Sequence, residues 1–234
     1  MDDVEVDGKT LRKARRLFWI GLTILIGPLV LWLLFITLTT TKCKPLMMLK
    51  TTNAAGDSIP HTLPAFQFVD QYGRPFGPAQ LKGKYHVANF IFTTCPGICK
   101  RLSKRFTELQ EAAKDAKNVV LVSYSVDPLN DTVPALAAYA KRQGAIKDKW
   151  YFVTSADERQ MFDLIIKGYL QAAVKTPDGV EKVTHSSVAV LLDKDLRIRG
   201  FYTLIDDNFG DKELDRLKDE INVLECEYRN AKPN

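Results

Sequence analysis

The feature that most constrains this chain is a run of 25 uncharged residues from Leu17 to Thr41, rich in Leu, Ile, Phe and Trp. About 20 apolar residues in a helix are enough to cross a bilayer core. A cleaved signal peptide would instead have a shorter apolar core, of about 7–15 residues, followed by a cleavage site of small residues, and the run has neither. The sequence therefore predicts one transmembrane helix at residues 17–41.

Basic residues crowd the N-terminal flank of this helix, at positions 9, 12, 13, 15 and 16. Because cytoplasmic flanks carry an excess of Lys and Arg, residues 1–16 are expected in the cytoplasm and the rest of the chain across the membrane, although Lys42 and Lys44 dilute the contrast. The acidic start of the chain differs from the Arg-rich, acid-poor pattern of organellar transit peptides. We therefore expect a single-pass protein of a bacterial inner membrane, with its globular part periplasmic or extracytoplasmic.

The chain beyond the helix divides into a polar stretch, residues 42–60, and a globular segment, residues 61–234. The polar stretch is predicted to be a tether. The globular segment holds 25 Lys or Arg against 23 Asp or Glu, with no basic stripe interleaved with aromatic residues. Nucleic acid is therefore not an expected partner.

Patterns typical of strands and helices alternate through the globular segment. Aromatic and β-branched runs without alternation are typical of buried central strands, and apolar residues at helical spacing follow them. This order predicts an α/β domain with a mixed sheet. Its predicted parts are a hairpin at 64–76, strand–helix steps at 85–113, 119–140 and 150–170, two strands at 187–192 and 196–202, and a last helix at 211–224.

Two cysteines, Cys95 and Cys99, follow the first buried strand directly. Ligands of α/β sheets gather at the carboxyl ends of strands, and a helix beginning near Pro96 would put both sulfurs on one helix face. Helix-end amides and cations such as Lys100 favour the thiolate form, which prefers soft metals, with copper(I) first outside the cytoplasm. The pair is predicted to bind copper or to oxidise to a disulfide.

Other uses of the cysteines remain open. Structural zinc needs four ligands, and the sequence lacks a second Cys/His pair. A dinuclear copper centre also spaces two cysteines by four, but it would want a histidine at position 103, where Ser103 stands, and an all-β fold. Cys43 and Cys226 allow a disulfide that ties the domain to its anchor.

A third ligand can be sought among the three histidines. His86 begins the strand that ends at the cysteines, so it lies far from them and is expected to be structural. His61 has no evident route to the site. His185 precedes the strand at 187–192, in a loop that could fold over the cysteines.

Three segments resemble the signatures of the Sco/SenC family, and together with the single anchor helix the likeness covers nearly the whole chain. They are Phe92-Thr-Thr-Cys-Pro-Gly-Ile-Cys99, Ser125-Val-Asp-Pro-Leu-Asn-Asp-Thr132, and Thr184-His-Ser-Ser187 with Leu191-Leu-Asp193 after it. The resemblance implies a thioredoxin-like fold with an additional N-terminal β-hairpin and copper bound by two Cys and one His. By position it assigns the copper ligands to Cys95, Cys99 and His185. Asp127 matches the acidic residue beside the site, or is equally an ordinary turn residue before proline.

The loop departs from the commonest pattern of that family at two positions. An acidic or polar residue after the proline is replaced by Gly97, and a second proline after the second cysteine by Lys100. A cation beside the site disfavours the oxidised metal and favours docking to an acidic partner.

The resemblance implies a copper metallochaperone, not an enzyme, that helps to assemble the dinuclear copper centre of cytochrome c oxidase. Expected partners are the copper-centre subunit of the oxidase, the membrane, a copper donor and a thiol reductant. One alternative is a thiol-disulfide oxidoreductase acting on the copper-site cysteines of the oxidase. Another is a stable accessory subunit of a respiratory complex. Three residues between the cysteines, rather than the two of dedicated oxidoreductases, favour metal binding.

Overall fold

The computed structural model describes residues 8–39, 43–53, 55–95, 97–171, 173–175, 181–183 and 187–230. The chain divides into two units, Met1–Cys43 and Lys44–Asn234.

The first unit is built on helix α1 (Gly8–Thr39). Its segment Arg15–Phe35 has a mean hydropathy of 2.3, and none of it is buried against protein. By length and composition, this segment is the one helix of the described residues that is able to cross a membrane. It coincides with most of the transmembrane helix predicted at residues 17–41.

The second unit alternates strands and helices, as the sequence predicts. Its strands are β1 (Lys50–Thr52), β2 (Ser58–Pro60), β3 (Phe68–Asp70), β4 (Pro75–Phe76), β5 (Tyr85–Ile91), β6 (Val119–Ser125), β7 (Trp150–Thr154), β8 (Ala173–Lys175), β9 (Glu181–Val183), β10 (Val188–Leu192) and β11 (Ile198–Thr203). Its helices are α2 (Pro78–Leu81), α3 (Ile98–Ala112), α4 (Val133–Arg142), α5 (Glu158–Asp163), which continues into a π-helical turn at Leu164–Gly168, and α6 (Gly210–Asn230).

Seven of these strands form one mixed sheet in the order β11-β10-β5-β6-β7-β3-β4. The central strands β5, β6 and β7 are parallel, and every other neighbouring pair is antiparallel. The predicted α/β class is confirmed, together with the early hairpin, formed by β3 and β4, and the final antiparallel pair, formed by β10 and β11. Since β5 is buried along its whole length, the segment that follows it is held at the carboxyl edge of the sheet.

Side chains of β5 alternate between two cores, one on each face of the sheet. Val87 and Ile91 enter the core that also contains side chains of α3, α4 and α6. Ala88 and Phe90 enter the opposite core, which contains side chains of α5 and the π-helical turn. Helices therefore cover both faces, and this explains why the central strands carry continuous rather than alternating apolar runs.

Part of the predicted tether is folded onto the domain. β1 and β2 form an antiparallel hairpin, and the backbone N–H of Leu49 donates to the first carbonyl of β11 at 3.2 Å. The buried guanidinium of Arg199 donates to the carbonyls of Leu46 and Met47, each at 3.1 Å. A buried guanidinium needs acceptors for its N–H groups, and these carbonyls supply two of them. From Leu46 onward, the described residues of the predicted tether are therefore docked onto the domain.

Two other elements differ from the sequence-based expectation. The strands β8 and β9 form a separate antiparallel hairpin that the sequence patterns do not reveal. Helix α6 continues to Asn230 instead of ending near residue 224. Its added turn is held by Tyr228, whose hydroxyl accepts from Arg197 and donates to Asp195, each at 2.8 Å.

Candidate metal and thiol site

The two cysteines lie where β5 leads into α3. Helix α3 has Gly97 at its N-cap, and Pro96 lies outside the described residues. The backbone N–H of Cys99 points to the sulfur of Cys95, at 3.3 Å. The structure therefore places both predicted site cysteines at one helix end, on the carboxyl edge of the sheet.

Both cysteines are free thiols that are almost completely covered by protein. The side chain of Cys95 is 5% exposed and that of Cys99 is 2% exposed. Cys43 and Cys226, in contrast, are disulfide-bonded. The free pair is therefore the reactive one, and access to its sulfur atoms is narrow.

The two free thiols differ in acidity although they are neighbours. Burial acts to raise the pKa of Cys95, but hydrogen bonds from Cys99 and from the backbone amides of Gly97 and Ile98 outweigh it, so the pKa falls below that of an ordinary cysteine. Burial and the hydrogen bond to Cys95 raise the pKa of Cys99 to about 12. Hydrogen bonds at the helix end therefore favour ionisation of Cys95, whereas burial disfavours ionisation of Cys99.

A buried carboxylate, that of Asp131, anchors the cysteine loop. It accepts hydrogen bonds from the backbone N–H of Thr93 at 3.0 Å, from the Thr93 hydroxyl at 2.6 Å and from the Ser125 hydroxyl at 2.6 Å. Thr93 lies two residues before Cys95, and Ser125 ends β6. Asp131 therefore joins the loop to the neighbouring strand, and its negative charge contributes to the high pKa of Cys99.

Asp127, the predicted supporting residue, lies in the same turn but has other contacts. Each of its carboxylate oxygens accepts from the side-chain amide of Asn130 at 2.9 Å, and its backbone N–H donates to the Ser125 hydroxyl at 3.0 Å. Of the two acids in this turn, Asp131 is the one bonded to the cysteine loop. The sequence shows two acids four residues apart but no signal for which of them points inward.

The two described histidines have their hydrogen-bond contacts with other parts of the fold. His86 is fully buried, its Nε2 lies 3.3 Å from the Tyr169 hydroxyl, and burial lowers its pKa to about 3. Nε2 of His61 donates to the Gly168 carbonyl at 2.8 Å. His185, predicted to be the third ligand, lies outside the described residues. Among the residues that are described, no three His, Cys, Asp or Glu side chains cluster as a metal site would require.

An open cleft of about 420 Å³ lies beside the start of α3. Gly97 and Arg101 line one side, and Ile205, just beyond β11, lines another. Ser187 also lines the cleft, and it directly follows the segment that contains His185. Ser187 therefore lies beside the end of the helix that carries the thiols.

Comparison with known proteins places the domain in a group of similar folds and sequences. The family model described as SCO1/SenC matches residues 55–214. A curated relative, the SCO1 protein homolog of Bacillus subtilis, is 30% identical over 164 residues, which are 69% of this chain and 84% of that protein.

Two solved structures extend the comparison. Arabidopsis thaliana ScoI with copper bound has a TM-score of 0.55 and 27% identity, and covers 69% of this chain and 98% of its own. BsSco is described as a member of the Sco family of cytochrome c oxidase assembly proteins with a disulfide switch. Its structure has a TM-score of 0.60 and 25% identity, and the match covers 79% of this chain and 98% of BsSco. These likenesses confirm the predicted thioredoxin-like fold.

Proposed function

The chain belongs to the SCO1/SenC family, and from this premise we propose that it carries copper on Cys95, Cys99 and His185 to the dinuclear copper centre of cytochrome c oxidase. The observation that carries the proposal is the pair of free, buried thiols at one helix end, with opposite pKa shifts. Thiolates are soft ligands that favour copper(I). The copper-bound structure of Arabidopsis ScoI supports the same use of this fold.

A set of two sulfur ligands and one nitrogen ligand suits a copper ion that is bound and later transferred to a partner. Both sulfurs lie at the N-terminal end of α3, so they could bind one ion together, and the imidazole of His185 would complete a set of three. A partner thiol can then enter as a further ligand before one of the three leaves. Because the pKa of Cys99 is raised to about 12, copper binding displaces its proton, and copper affinity should increase with pH.

The anchor and the folded domain define where the protein would act. In this proposal residues 1–16 are cytoplasmic, residues 17–41 span a bacterial inner membrane, and residues 61–234 form the copper-binding domain on the periplasmic or extracytoplasmic side. Asp131 supports the cysteine loop from the turn beside it, and Asp127 lies in the same turn. The partners are the copper-centre subunit of the oxidase, a copper donor and a thiol reductant.

The test compares the full chain with its His185→Ala variant, both in detergent micelles and loaded with copper(I). X-ray absorption and competition titration report the ligands and the affinity. We expect wild type to show two sulfur ligands and one nitrogen ligand, and His185→Ala to lose the nitrogen and at least ten-fold in affinity. His61→Ala is the matched control, because its ring contacts the Gly168 carbonyl instead. Equal nitrogen coordination in wild type and His185→Ala would remove His185 from the site.

A second candidate function, thiol-disulfide exchange, is favoured by the unequal acidity of the pair. The Cys95 thiolate would attack a partner disulfide, and Cys99 would then resolve the mixed disulfide. The disulfide switch described for BsSco agrees with such chemistry. This function would not need the imidazole, so exchange rates that survive His185→Ala while copper binding is lost would separate the two functions.

A further inference from the structure

Two exposed lysines, Lys100 and Lys104, lie on the first turns of α3 beside the thiols. Lys100 directly follows Cys99, and Lys104 lies one helical turn further along the same face. No Asp or Glu occurs in the sequence between Asp70 and Glu108. Within the described part of the chain, neither lysine forms an ion pair, so this positive charge faces solvent.

The two arginines of the same turns are instead used inside the fold. Arg101 forms an ion pair with Asp207 and also donates to the carbonyl of Ile205 at 3.1 Å. Arg105 forms an ion pair with Asp211 at 2.5 Å. These contacts attach α3 to the first turn of α6 and to the segment before it, and they compensate the arginine charges. The uncompensated charge at this end of α3 therefore belongs to the lysines.

An exposed apolar side chain lies on the other segment attached to the cysteine loop. Leu129 is 68% exposed. It lies in the turn between β6 and α4, and this turn is bound to the loop through the hydrogen bonds between Asp131 and Thr93. A single exposed leucine is ordinary on a protein surface, so its relevance here rests on its position on the turn that is bonded to the cysteine loop.

We propose that Lys100, Lys104 and Leu129 form a docking surface for a protein partner whose cysteines are surrounded by acidic residues. The inference rests on the proposed function, because it describes the protein that receives copper or electrons from Cys95 and Cys99. Unpaired surface cations attract an acidic partner over a distance of about one Debye length, roughly 10 Å at 0.1 M salt. Such attraction raises the association rate more than it raises the affinity.

The test uses the reduced full chain in detergent micelles and two disulfide-bonded probe peptides. Each peptide has two cysteines four residues apart, flanked by Glu and Asp in one probe and by Gln and Asn in the other. A protein thiolate attacks the probe disulfide and releases one probe thiol, and the second protein thiol then releases the other. The protein ends with a Cys95–Cys99 disulfide, and two electrons have passed to the probe.

We expect the acidic probe to react on the order of ten-fold faster than the neutral probe at low ionic strength, with the ratio falling toward one near 0.5 M salt. The double variant Lys100→Glu/Lys104→Glu should lower this ratio to one or below. A change in the intrinsic reactivity of the thiols affects the rates of both probes equally, so it does not alter the ratio of the two rates. Leu129→Gln should slow both probes about three-fold.

The matched control is Lys82→Glu/Lys147→Glu, which makes the same charge change at the opposite edge of the sheet, before β5 and β7. Its acidic-to-neutral ratio should equal that of wild type. The proposal is overturned if the Lys100 and Lys104 variant keeps the wild-type ratio, or if the control loses as much.

Copper loading of the same samples separates the two proposals. If wild type binds no copper but shows the lysine-dependent ratio, the proposed copper function is refuted and the proposed docking surface is supported. If wild type binds copper but does not show that ratio, only the proposed docking surface is refuted.

Discussion

Replacing Asp131 by alanine removes the buried acceptor that ties the cysteine loop to β6. Three donors lose their partner: the backbone N–H of Thr93, its hydroxyl, and the hydroxyl of Ser125. A hydrogen bond to a charged group contributes about 1.5–3 kcal/mol. Since Thr93 is only half-buried, water replaces part of what it loses. We therefore expect Asp131→Ala to lower the free energy of unfolding by about 3–5 kcal/mol.

The same change should loosen the thiols, because Thr93 lies two residues before Cys95. Urea unfolding of the full chain in detergent micelles, followed by circular dichroism, measures the loss of stability. Alkylation of the native chain by iodoacetamide measures access to the thiols, and we expect Asp131→Ala to react on the order of ten-fold faster than wild type. Asp131→Asn keeps an acceptor for Thr93, so it should lose only about 1–2 kcal/mol.

A suitable control is Asp215→Ala, which removes an exposed carboxylate that pairs with Lys218 at 3.0 Å. Exposed pairs contribute roughly 0–1 kcal/mol, and this one is not attached to the cysteine loop. The anchoring role is refuted if Asp131→Ala is no less stable than Asp215→Ala and its thiols react at the wild-type rate.

Helix-end hydrogen bonds lower the pKa of Cys95. The alkylation rate of Cys95 should therefore rise with pH at an inflection that lies below the pKa of an ordinary cysteine, and peptide mass spectrometry at a series of pH values measures it. Burial lowers the pKa of His86 from 6.5 to about 3, so only the unfolded chain gains a proton there between these values. The contribution of His86 to the free energy of unfolding should then be fully present above about pH 6.5 and fall by about 1.4 kcal/mol per pH unit below it. Urea titrations at a series of pH values should show a smaller slope for His86→Phe. Arg199→Met should cost about 3 kcal/mol, because it leaves the buried carboxylate of Asp193 with one guanidinium fewer. It should also open the chain near Leu46 to limited proteolysis.

The strand, loop and helix that carry the cysteines could be predicted because local patterns determine them. The run from Tyr85 to Ile91 has no charged residue, and apolar residues recur at helical spacing after Cys99. Those two patterns place the cysteines at the carboxyl edge of the sheet without any knowledge of other segments. The same reasoning predicts the antiparallel pair β10 and β11 from two apolar runs around a short polar turn.

The docked N-terminal segment could not be predicted in this way, because it depends on contacts between distant residues. Arg199 alternates with apolar residues in β11 and so resembles an exposed strand residue. It is buried because Asp193 and Glu227 pair with it at 3.1 and 2.8 Å, and the carbonyls of Leu46 and Met47 complete its partners. The role of Asp131 is not evident from the sequence for a similar reason, since it depends on Thr93, 38 positions away.

The geometry of the cysteines alone does not choose between carrying copper and exchanging disulfides. Hydrogen bonds and burial that are present without metal lower the pKa of Cys95 and raise that of Cys99, and either use requires that Cys99 lose its proton. An approaching ion and an approaching disulfide are both electrophiles for the same sulfur. The choice must then depend on what else reaches the pair: an imidazole retains an ion, whereas a second cysteine pair on an acidic partner accepts either the ion or the electrons. For this reason the His185 variant and the lysine variants measure separate steps, retention in the first case and encounter in the second.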